Sequence, residues 1–165
     1  MTKVYVAIDN GTSGGIAIIK DGFADMVKTP IFKTLSYTKT KQEITRIDFM
    51  ALTNILQSAV AKDDGGGILV IIERPCINPT RFKTTVSAAR SLEATLIAIE
   101  LLKLPFMYCD SKDWQRVLLP SGSEDTKKDS REIGTRLFPH LSDIIKKQKD
   151  ADSLLMGEWA RRNNL

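Results

Sequence analysis

The stretch Lys3–Ile19, KVYVAIDNGTSGGIAII, constrains the fold of this chain more than any other. Residues 4–8 form a short, wholly apolar run with β-branched side chains, which is typical of a strand buried on both faces. The run stops at Asp9, and residues 10–15 form a glycine-rich turn that allows close approach of the backbone to a ligand. Residues 16–19 predict a second strand. The unit is therefore a hairpin with a carboxylate at its mouth.

A carboxylate at the end of a buried strand needs an explanation, because an unpaired buried charge is costly. A metal ion bound by Asp9 removes that cost. Phosphate groups held by the glycine turn, with Asp9 positioning a cation, remove it as well. The alternative is local: Asp9 is a turn former that caps the amides of Gly11 or Thr12. The hairpin alone leaves these interpretations open.

A second apolar run repeats the arrangement. Residues 68–72, ILVII, are followed directly by Glu73. In parallel α/β sheets the carboxyl ends of the strands lie together at one edge, which is where ligands bind. Two strand-end acids are much more informative than one, and we expect Asp9 and Glu73 to meet at that edge. The local alternative for Glu73 is an ion pair with the neighbouring Arg74.

The rest of the chain predicts an alternation of strands and helices. The predicted elements are a third antiparallel strand at 23–27, a helix from the N-cap Asp48 to residue 61, a long helix over 85–102, a strand at 106–109, a short helix at 113–119, a helix from the N-cap Thr126 to residue 138, and a last helix over 150–162 that is opened by the basic run 146–149. Residues 28–46 carry five basic side chains among many threonines. They predict either a further strand with a basic arm or a solvated loop.

The last predicted helix carries two acids near its start, Asp150 and Asp152. Acids in a first helical turn commonly complement the helix dipole, so the pair alone is weak evidence for a site. Leu155 and Trp159, however, follow Asp152 at offsets of three and seven and share its face of the helix. This spacing predicts that Asp152 points toward the sheet rather than toward solvent.

Composition sets broad limits. A chain of 165 residues predicts one domain, residues 1–165, and its apolar share of 42% and charged share of 27% are ordinary for a globular protein. No apolar run approaches the length of a membrane span and no signal sequence is evident, so we expect a cytoplasmic protein with no membrane partner. The formal net charge of +4 is compatible with nucleic-acid binding but does not demand it.

Five segments carry a resemblance to a known family, in order and over nearly the whole chain. They are AIDNGTSGGIAII, VIIERP, LPFMYCDSKDWQRVLLP, DTKKDSREIGTRLFP and DADSLLMGEWARR. Together they resemble the RNase H-like nucleases, and more narrowly the RuvC-type Holliday junction resolvases, especially their short phage-type members. The resemblance implies an α/β fold with a five-stranded mixed sheet, whose first three strands are antiparallel, and with helices on both faces.

The resemblance also implies a site. In this family four carboxylates hold two Mg²⁺ ions, which Mn²⁺ can replace, for the hydrolysis of a DNA phosphodiester. By motif position Asp9, Glu73 and Asp152 carry over as metal ligands and catalytic residues. Lys127 falls where the family tends to keep a lysine near the scissile phosphate. These residue types suit the reaction, because Mg²⁺ prefers hard oxygen ligands and a pair of such ions assists phosphodiester hydrolysis.

The fourth acid departs from the family pattern. It usually lies three residues before the aspartate that matches Asp152, and this chain has Lys149 there. Asp150 is two residues away, which is about 200° round a helix, so both acids cannot face one metal pair if both are helical. Either the helix starts after Asp150 and its carboxylate swings in, or the fourth ligand is missing or comes from elsewhere.

The function implied is a structure-selective endodeoxyribonuclease that resolves Holliday and other branched DNA junctions. The expected DNA-binding residues are Arg74, Arg81, Lys83, Lys127, Lys128 and Lys149. Symmetric resolution needs two cuts related by a two-fold axis, which predicts a homodimer. The helix over 85–102 is apolar on more than one side, and we expect it to form the interface, with Leu96 and Ile99 as contacts.

Three other functions remain open. One is an RNA/DNA-hybrid nuclease of the same fold. A second is an actin-like phosphate-binding ATPase or sugar kinase, whose first strand and glycine turn look similar, although such proteins duplicate the fold and this chain has no second copy. The third is a junction-binding protein that keeps the acids without catalysis.

Overall fold

The computed structural model describes residues 2–165. The strands are β1 (Val4–Ile8), β2 (Gly15–Lys20), β3 (Phe23–Lys28), β4 (Ile31–Leu35), β5 (Glu43–Ile47), β6 (Ile68–Glu73) and β7 (Phe106–Cys109). The helices are α1 (Phe49–Val60), α2 (Phe82–Leu101), α3 (Ser111–Leu118), α4 (Thr126–Leu137), α5 (Ser142–Gln148) and α6 (Asp152–Arg162), with a short 3₁₀ turn at Pro139–Leu141.

Five strands form one mixed sheet in the order β3-β2-β1-β6-β7. β2 pairs antiparallel with β1 and β3, whereas β6 runs parallel to both β1 and β7. The carboxyl ends of β1, β6 and β7 therefore lie at one edge of the sheet, together with the start of β2 and the end of β3. We call this edge the acid edge, because Asp9 and Glu73 lie there. The predicted mixed sheet with three antiparallel first strands is confirmed.

Helices cover both faces of the sheet, as predicted. Val4, Val6 and Ile8 point to one side, where they share a hydrophobic core with α1 and α2. Tyr5 and Ala7 alternate to the other side and pack in a second core with residues of α3 to α6. β1 is buried along its whole length because it lies between these two layers, which explains its unbroken apolar sequence.

Residues 28–46 contain more order than either sequence interpretation gave them. β4 and β5 form a separate two-stranded antiparallel sheet, with Ile31 opposite Ile47 and Leu35 opposite Glu43. We call β4, β5 and their connection the ribbon. The connection, residues 36–42, is a turn in which the Ser36 amide donates to the Gln42 carbonyl at 2.7 Å.

Two predicted helices begin elsewhere than expected. α2 starts at Phe82, three residues before the predicted start. α4 is capped by Asp125 rather than by Thr126, since the Asp125 carboxylate accepts a hydrogen bond from the Lys128 amide at 3.0 Å. The predicted helix cap at Asp48 is confirmed, because its carboxylate accepts from the Ala51 amide at 3.0 Å.

The prediction for the interface face of α2 was wrong at Ile99. This side chain is fully buried inside the chain, in the core shared by α1, α2 and the sheet. Leu96 is half-buried against the same core. The apolar residues that α2 exposes in its second half are Ile97 and Leu101.

The prediction that the basic run 146–149 opens the last helix was also wrong. The run ends α5, and Lys149 adopts a left-handed conformation with φ of 69° that stops that helix. Arg131 holds the break, because its guanidinium donates to the Lys149 carbonyl at 2.9 Å. α6 then starts at Asp152, so Asp150 lies in a short non-helical link. Lys149 consequently does not share a helix face with Asp152.

Among residues 2–165, no helix combines the length and the apolar character that a membrane crossing requires.

Candidate metal centre

Asp9 is placed by the first hairpin. Its amide donates to the Gly15 carbonyl at 3.0 Å, so the turn closes directly behind the carboxylate. Gly14 has to be glycine here, since a Cβ at this position would overlap the Asp9 carbonyl. The sequence left open a role for this glycine-rich turn in phosphate binding. Gly14 also has a structural role, because it lets the chain turn tightly beside Asp9.

Glu73 is placed by the parallel pairing of β1 with β6. Ile8 lies opposite Ile72, so Asp9 and Glu73 are the next residues along two neighbouring strands. Burial first, and then the neighbouring Asp9 charge, raise the pKa of Glu73 to about 8. Burial and the Asp152 charge likewise raise the pKa of Asp9 above its usual range. These two neighbouring carboxyls therefore resist ionising together.

Asp150, in the link before α6, and Asp152, the first residue of α6, reach the same point. One carboxylate oxygen from each of Asp9, Asp150 and Asp152 lies within 4.8 Å of the other two. Asp152 is buried, and the other two are partly buried. Of the alternatives left open by the sequence, the structure shows the one in which the helix starts after Asp150.

Ser130 is a member of this site that sequence reasoning missed. It is fully buried on α4, and its hydroxyl donates to the Asp152 carboxylate at 2.6 Å. The same oxygen accepts the Ala151 amide at 3.1 Å, so the serine joins α4 to the start of α6. The available signal was its spacing: Ser130 follows Lys127 by three residues and precedes Gly134 by four, on one helix face.

Gly134 allows α4 to approach this link. A Cβ at residue 134 would lie 2.5 Å from the Ala151 side chain, which is closer than carbon atoms can approach. α4 therefore packs directly against Ala151, the residue between Asp150 and Asp152. The small side chains at 130 and 134 explain why α4 can present Lys127 at the acids.

Lys127 forms ion pairs with two of the acids. Its ammonium lies 3.2 Å from the Asp150 carboxylate and also hydrogen-bonds to Asp152. Burial lowers the pKa of Lys127, but the hydrogen bond and attraction to Asp152, together with Asp150, outweigh it and raise the pKa above its usual value. The side chain is still 51% exposed, so the ammonium is accessible from solvent.

The other predicted DNA-binding residues are all exposed, and three of them are direct sequence neighbours of cluster residues. Arg74 follows Glu73, lies 3.2 Å from Asp110 and stacks over the Tyr108 ring at 5.1 Å. Lys149 precedes Asp150 and is exposed, and Lys128 is exposed beside Lys127. Arg81 and Lys83 are exposed at the start of α2. The Asn10 side chain donates to the Ala88 carbonyl at 3.5 Å, which ties α2 to the acid-edge turn.

The residues present fit a divalent cation of the magnesium type. The donors are carboxylate oxygens, which are the hard ligands that Mg²⁺ prefers, and neither histidine nor cysteine belongs to the cluster. Four carboxyl groups face a single lysine, and burial together with the neighbouring negative charges raises the pKa values of Asp9 and Glu73. A cation relieves such crowding, whereas a purely structural acid cluster has no reason to concentrate it.

Comparison with known proteins gives a result from structure and none from sequence. No family model matches the chain, and no curated protein matches it. A solved structure described as Thermus thermophilus RuvC in complex with a Holliday junction substrate is similar, with 11% identity, a TM-score of 0.57, and coverage of 98% of this chain and 96% of that chain. Another Thermus thermophilus RuvC structure is 13% identical over the same shares, with a TM-score of 0.55.

The fold is that of the RuvC-type resolvases. Since the identity is low, the RuvC likeness shows the fold, and the site rests on the geometry of this chain. That geometry brings together all five residues predicted to be catalytic: Asp9, Glu73, Asp150, Asp152 and Lys127. The roles of the four acids as metal ligands, and of Lys127 at the scissile phosphate, remain predictions.

Proposed function

We propose that this protein is a metal-dependent endonuclease that cuts branched DNA and resolves Holliday junctions. The observation that carries this proposal is the convergence of Asp9, Asp150 and Asp152, with Glu73 beside Asp9, at one edge of a RuvC-type fold. The likeness to a RuvC structure that is described with a Holliday junction substrate supports the choice of DNA substrate.

The four acids would hold two Mg²⁺ ions, with Mn²⁺ as a possible substitute. When bound, such ions supply an activated water and stabilise the charge that develops on the leaving 3′-oxygen. Glu73 contributes as a ligand only after it has lost its proton, so its raised pKa sets a competition between proton and cation at this position.

Two residues of α4 assist the acids in this proposal. Ser130 fixes the orientation of Asp152 through its hydroxyl, as the partners of metal-binding carboxylates commonly do. Lys127 presents a compact positive charge beside Asp150 and Asp152 and is half exposed. Its role is to contact the scissile phosphate and to balance the added negative charge of the substrate.

The remaining predicted basic residues are assigned to the DNA backbone rather than to the cut. Lys149, Arg74 and Lys128 follow or precede cluster residues in the chain and are exposed. Arg81 and Lys83 extend this surface to the start of α2. Contacts from such residues to phosphates give affinity that falls with salt and carries little sequence information.

A homodimer completes the proposal, because two symmetric cuts need two sites and the chain, treated as one domain of residues 1–165, has one. α2 stays the proposed interface element, with contacts moved to the exposed Ile97 and Leu101. An Ile97→Glu variant should sediment as a folded monomer that nicks junctions without paired cuts. A variant that stays dimeric would place the interface elsewhere.

A cleavage assay tests the activity. The protein is incubated with Mg²⁺ and each of three substrates of equal length: a four-way DNA junction, a linear DNA duplex and an RNA/DNA hybrid. We expect cleavage of the junction in preference to the other two. Preferential cleavage of the hybrid would support the alternative nuclease activity. Binding of the junction without cleavage in Mg²⁺ or Mn²⁺ would show that the protein binds junctions but does not cut them.

A further inference from the structure

One segment of this chain is strongly basic. Residues 28–46 contain five basic side chains and one acidic one, which gives a formal charge of +4. The whole chain has 24 basic and 20 acidic side chains, so its net charge is also +4. The other residues are therefore neutral in sum, and residues 28–46 account for the net charge of the chain.

The ribbon is an ordered projection rather than a loose arm. β4 and β5 pair over five residues each, and the Asp48 amide donates to the Pro30 carbonyl at 2.9 Å to close the base. The turn at the tip is braced by hydrogen bonds among the hydroxyls of Ser36, Thr38 and Thr40. From Ile31 to Leu35 such a strand spans about 13 Å.

The base of the ribbon lies at the acid edge. Lys28, the last residue of β3, pairs with Gly15, and the Thr29 amide donates to the Gly14 carbonyl at 3.1 Å. Gly14 belongs to the turn that closes behind Asp9. The ribbon therefore starts from the edge of the sheet at which the acids lie.

The surface of the ribbon suits a nucleic acid. Lys39 and Lys41 are exposed in the turn at the tip. They follow Tyr37, which is 86% exposed, by two and four residues. Along the strands, Arg46 lies over the Phe32 ring at 5.6 Å. Lysines in the same turn as an exposed aromatic residue offer both phosphate contacts and an apolar surface for sugars or bases.

We propose that the ribbon is a second DNA-binding surface, which holds the phosphate backbone of a duplex arm beside the arm that enters the acid cluster. This inference rests on the proposed function and adds to it. A branched substrate has arms that leave the cut in different directions, and a projection from the acid edge can reach an arm that the cluster does not contact. A second copy of the chain, docked in the groove of about 670 Å³ between the ribbon and α2, is the competing occupant.

The test is a charge-removal experiment with a matched control. Lys39→Ala/Lys41→Ala removes two lysines from the ribbon tip. Lys62→Ala/Lys103→Ala removes two exposed lysines from the opposite edge, since residue 103 precedes the start of β7 and the Lys62 carbonyl accepts from Lys20 at the end of β2. Binding to a fluorescent four-way junction is measured in EDTA over a series of NaCl concentrations, with thermal melts as a check on folding.

We expect the ribbon variant to bind roughly tenfold more weakly at moderate salt, and its slope of log affinity against log salt to fall by about two. The control variant should keep the wild-type slope. Cleavage by the ribbon variant at saturating junction in Mg²⁺ should match wild type, because the ribbon lysines do not contact the acids.

Two results would overturn the inference while leaving the proposed function intact. One is a ribbon variant with the wild-type slope. The other is a ribbon variant that becomes monomeric in sedimentation without any change in slope, which would assign the surface to a second copy. Failure of the wild-type protein itself to bind branched DNA would overturn the proposed function together with this inference.

Discussion

Helix α6 carries a buried carboxylate near each end, Asp152 in its first turn and Glu158 in its second half. Glu158 is surrounded by cations. Arg161 donates two hydrogen bonds to it, at 2.8 and 2.9 Å, and Arg162 donates a third at 2.7 Å. Burial raises the pKa of Glu158, but these arginines outweigh it and hold the pKa below its usual range.

Asp152 has the opposite surroundings. It shares its site with Asp9, Asp150 and the nearby Glu73, against one lysine. Burial, and after it the neighbouring carboxylates, raise the pKa values of Asp9 and Glu73. One helix thus carries a carboxylate whose charge is fully compensated and another whose charge is not. Compensated acids stabilise a fold, whereas a crowded acid cluster lowers stability unless a ligand uses it.

The largest expected effect comes from a mutation of Asp152, the acid that shares one lysine with three other carboxyl groups. Asp152→Asn should reduce Mg²⁺-dependent junction cleavage by at least about 1,000-fold, equivalent to about 4 kcal/mol in the activation free energy, because a buried carboxylate that we propose as a metal ligand is lost. Melting temperature should be unchanged or higher, since negative charge has been removed from the cluster. Single-turnover rates and thermal melts provide the measurements.

Asp150→Asn is the matched comparison. Asp150 is more exposed than Asp152, and its hydrogen bonds do not include the buried serine, so we expect a smaller loss that Mn²⁺ partly restores. An indispensable Asp150 beside a dispensable Asp152 would show that the ranking of the two acids is wrong.

The second effect comes from a mutation of Glu158, whose charge is compensated by two arginines. Glu158→Gln should lower the free energy of unfolding by about 1–3 kcal/mol, because two arginines lose a buried charged acceptor. Cleavage at saturating substrate should stay at the wild-type rate. Urea denaturation measures the stability. Glu132→Gln, which removes an exposed partner 4.0 Å from Lys128, is the control and should change stability little. Equal losses in the two variants would contradict the comparison.

The third effect tests the support of Asp152. Ser130→Ala removes the hydroxyl that donates to Asp152 and should weaken Mn²⁺ binding by roughly tenfold. Calorimetric titration of Mn²⁺ in the absence of DNA gives the affinity. Ser58→Ala is the control, since that hydroxyl bonds only the Ile55 carbonyl within α1. An unchanged Mn²⁺ affinity in Ser130→Ala would show that the serine contributes only to packing.

The smallest effect concerns pH and has opposite signs at the two sites. The pKa of Glu73 is about 8 in the folded protein against an ordinary 4.5, so the folded state binds more protons in this window and stability falls as pH rises from 4.5 to 8. Glu73→Gln should therefore gain stability over wild type across that window. The pKa of Glu158 is lowered, so its contribution is present above its unfolded pKa and is lost as pH falls.

Urea denaturation of wild type, Glu73→Gln and Glu158→Gln at several pH values measures both trends. The Glu158→Gln deficit should shrink in acid, and the Glu73→Gln advantage should grow toward pH 8. Parallel stability curves for all three proteins would show that neither carboxyl changes its pKa on folding.

Sequence reasoning succeeded where a local pattern determines position. Apolar β-branched runs predicted β1 and β6, and the geometry of parallel sheets then predicted that Asp9 and Glu73 meet. It failed at Lys149, because a lysine carries no signal for a left-handed conformation. That conformation is imposed by distant contacts, such as the hydrogen bond from Arg131 to the Lys149 carbonyl.

Sequence reasoning could not predict the pairing of the ribbon strands or the place of Ser130 in the site, for related reasons. Lysines and threonines in residues 28–46 are compatible with both a strand and a loop, and the pairing of β4 with β5 decides between them. Ser130 is an ordinary residue of a helix surface until α6 packs over it. Both outcomes depend on segments that lie far apart in sequence or have no apolar pattern of their own.

Gly134 has a consequence for how this chain can change over evolution. A glycine inside a helix costs about 1 kcal/mol relative to alanine, so a stabilising substitution is one mutation away. That substitution is closed to the chain, because a methyl group at 134 would push Ala151 and its two neighbouring acids out of place. The helix propensity gained there would be offset by this displacement, and we expect selection to retain the weaker helix.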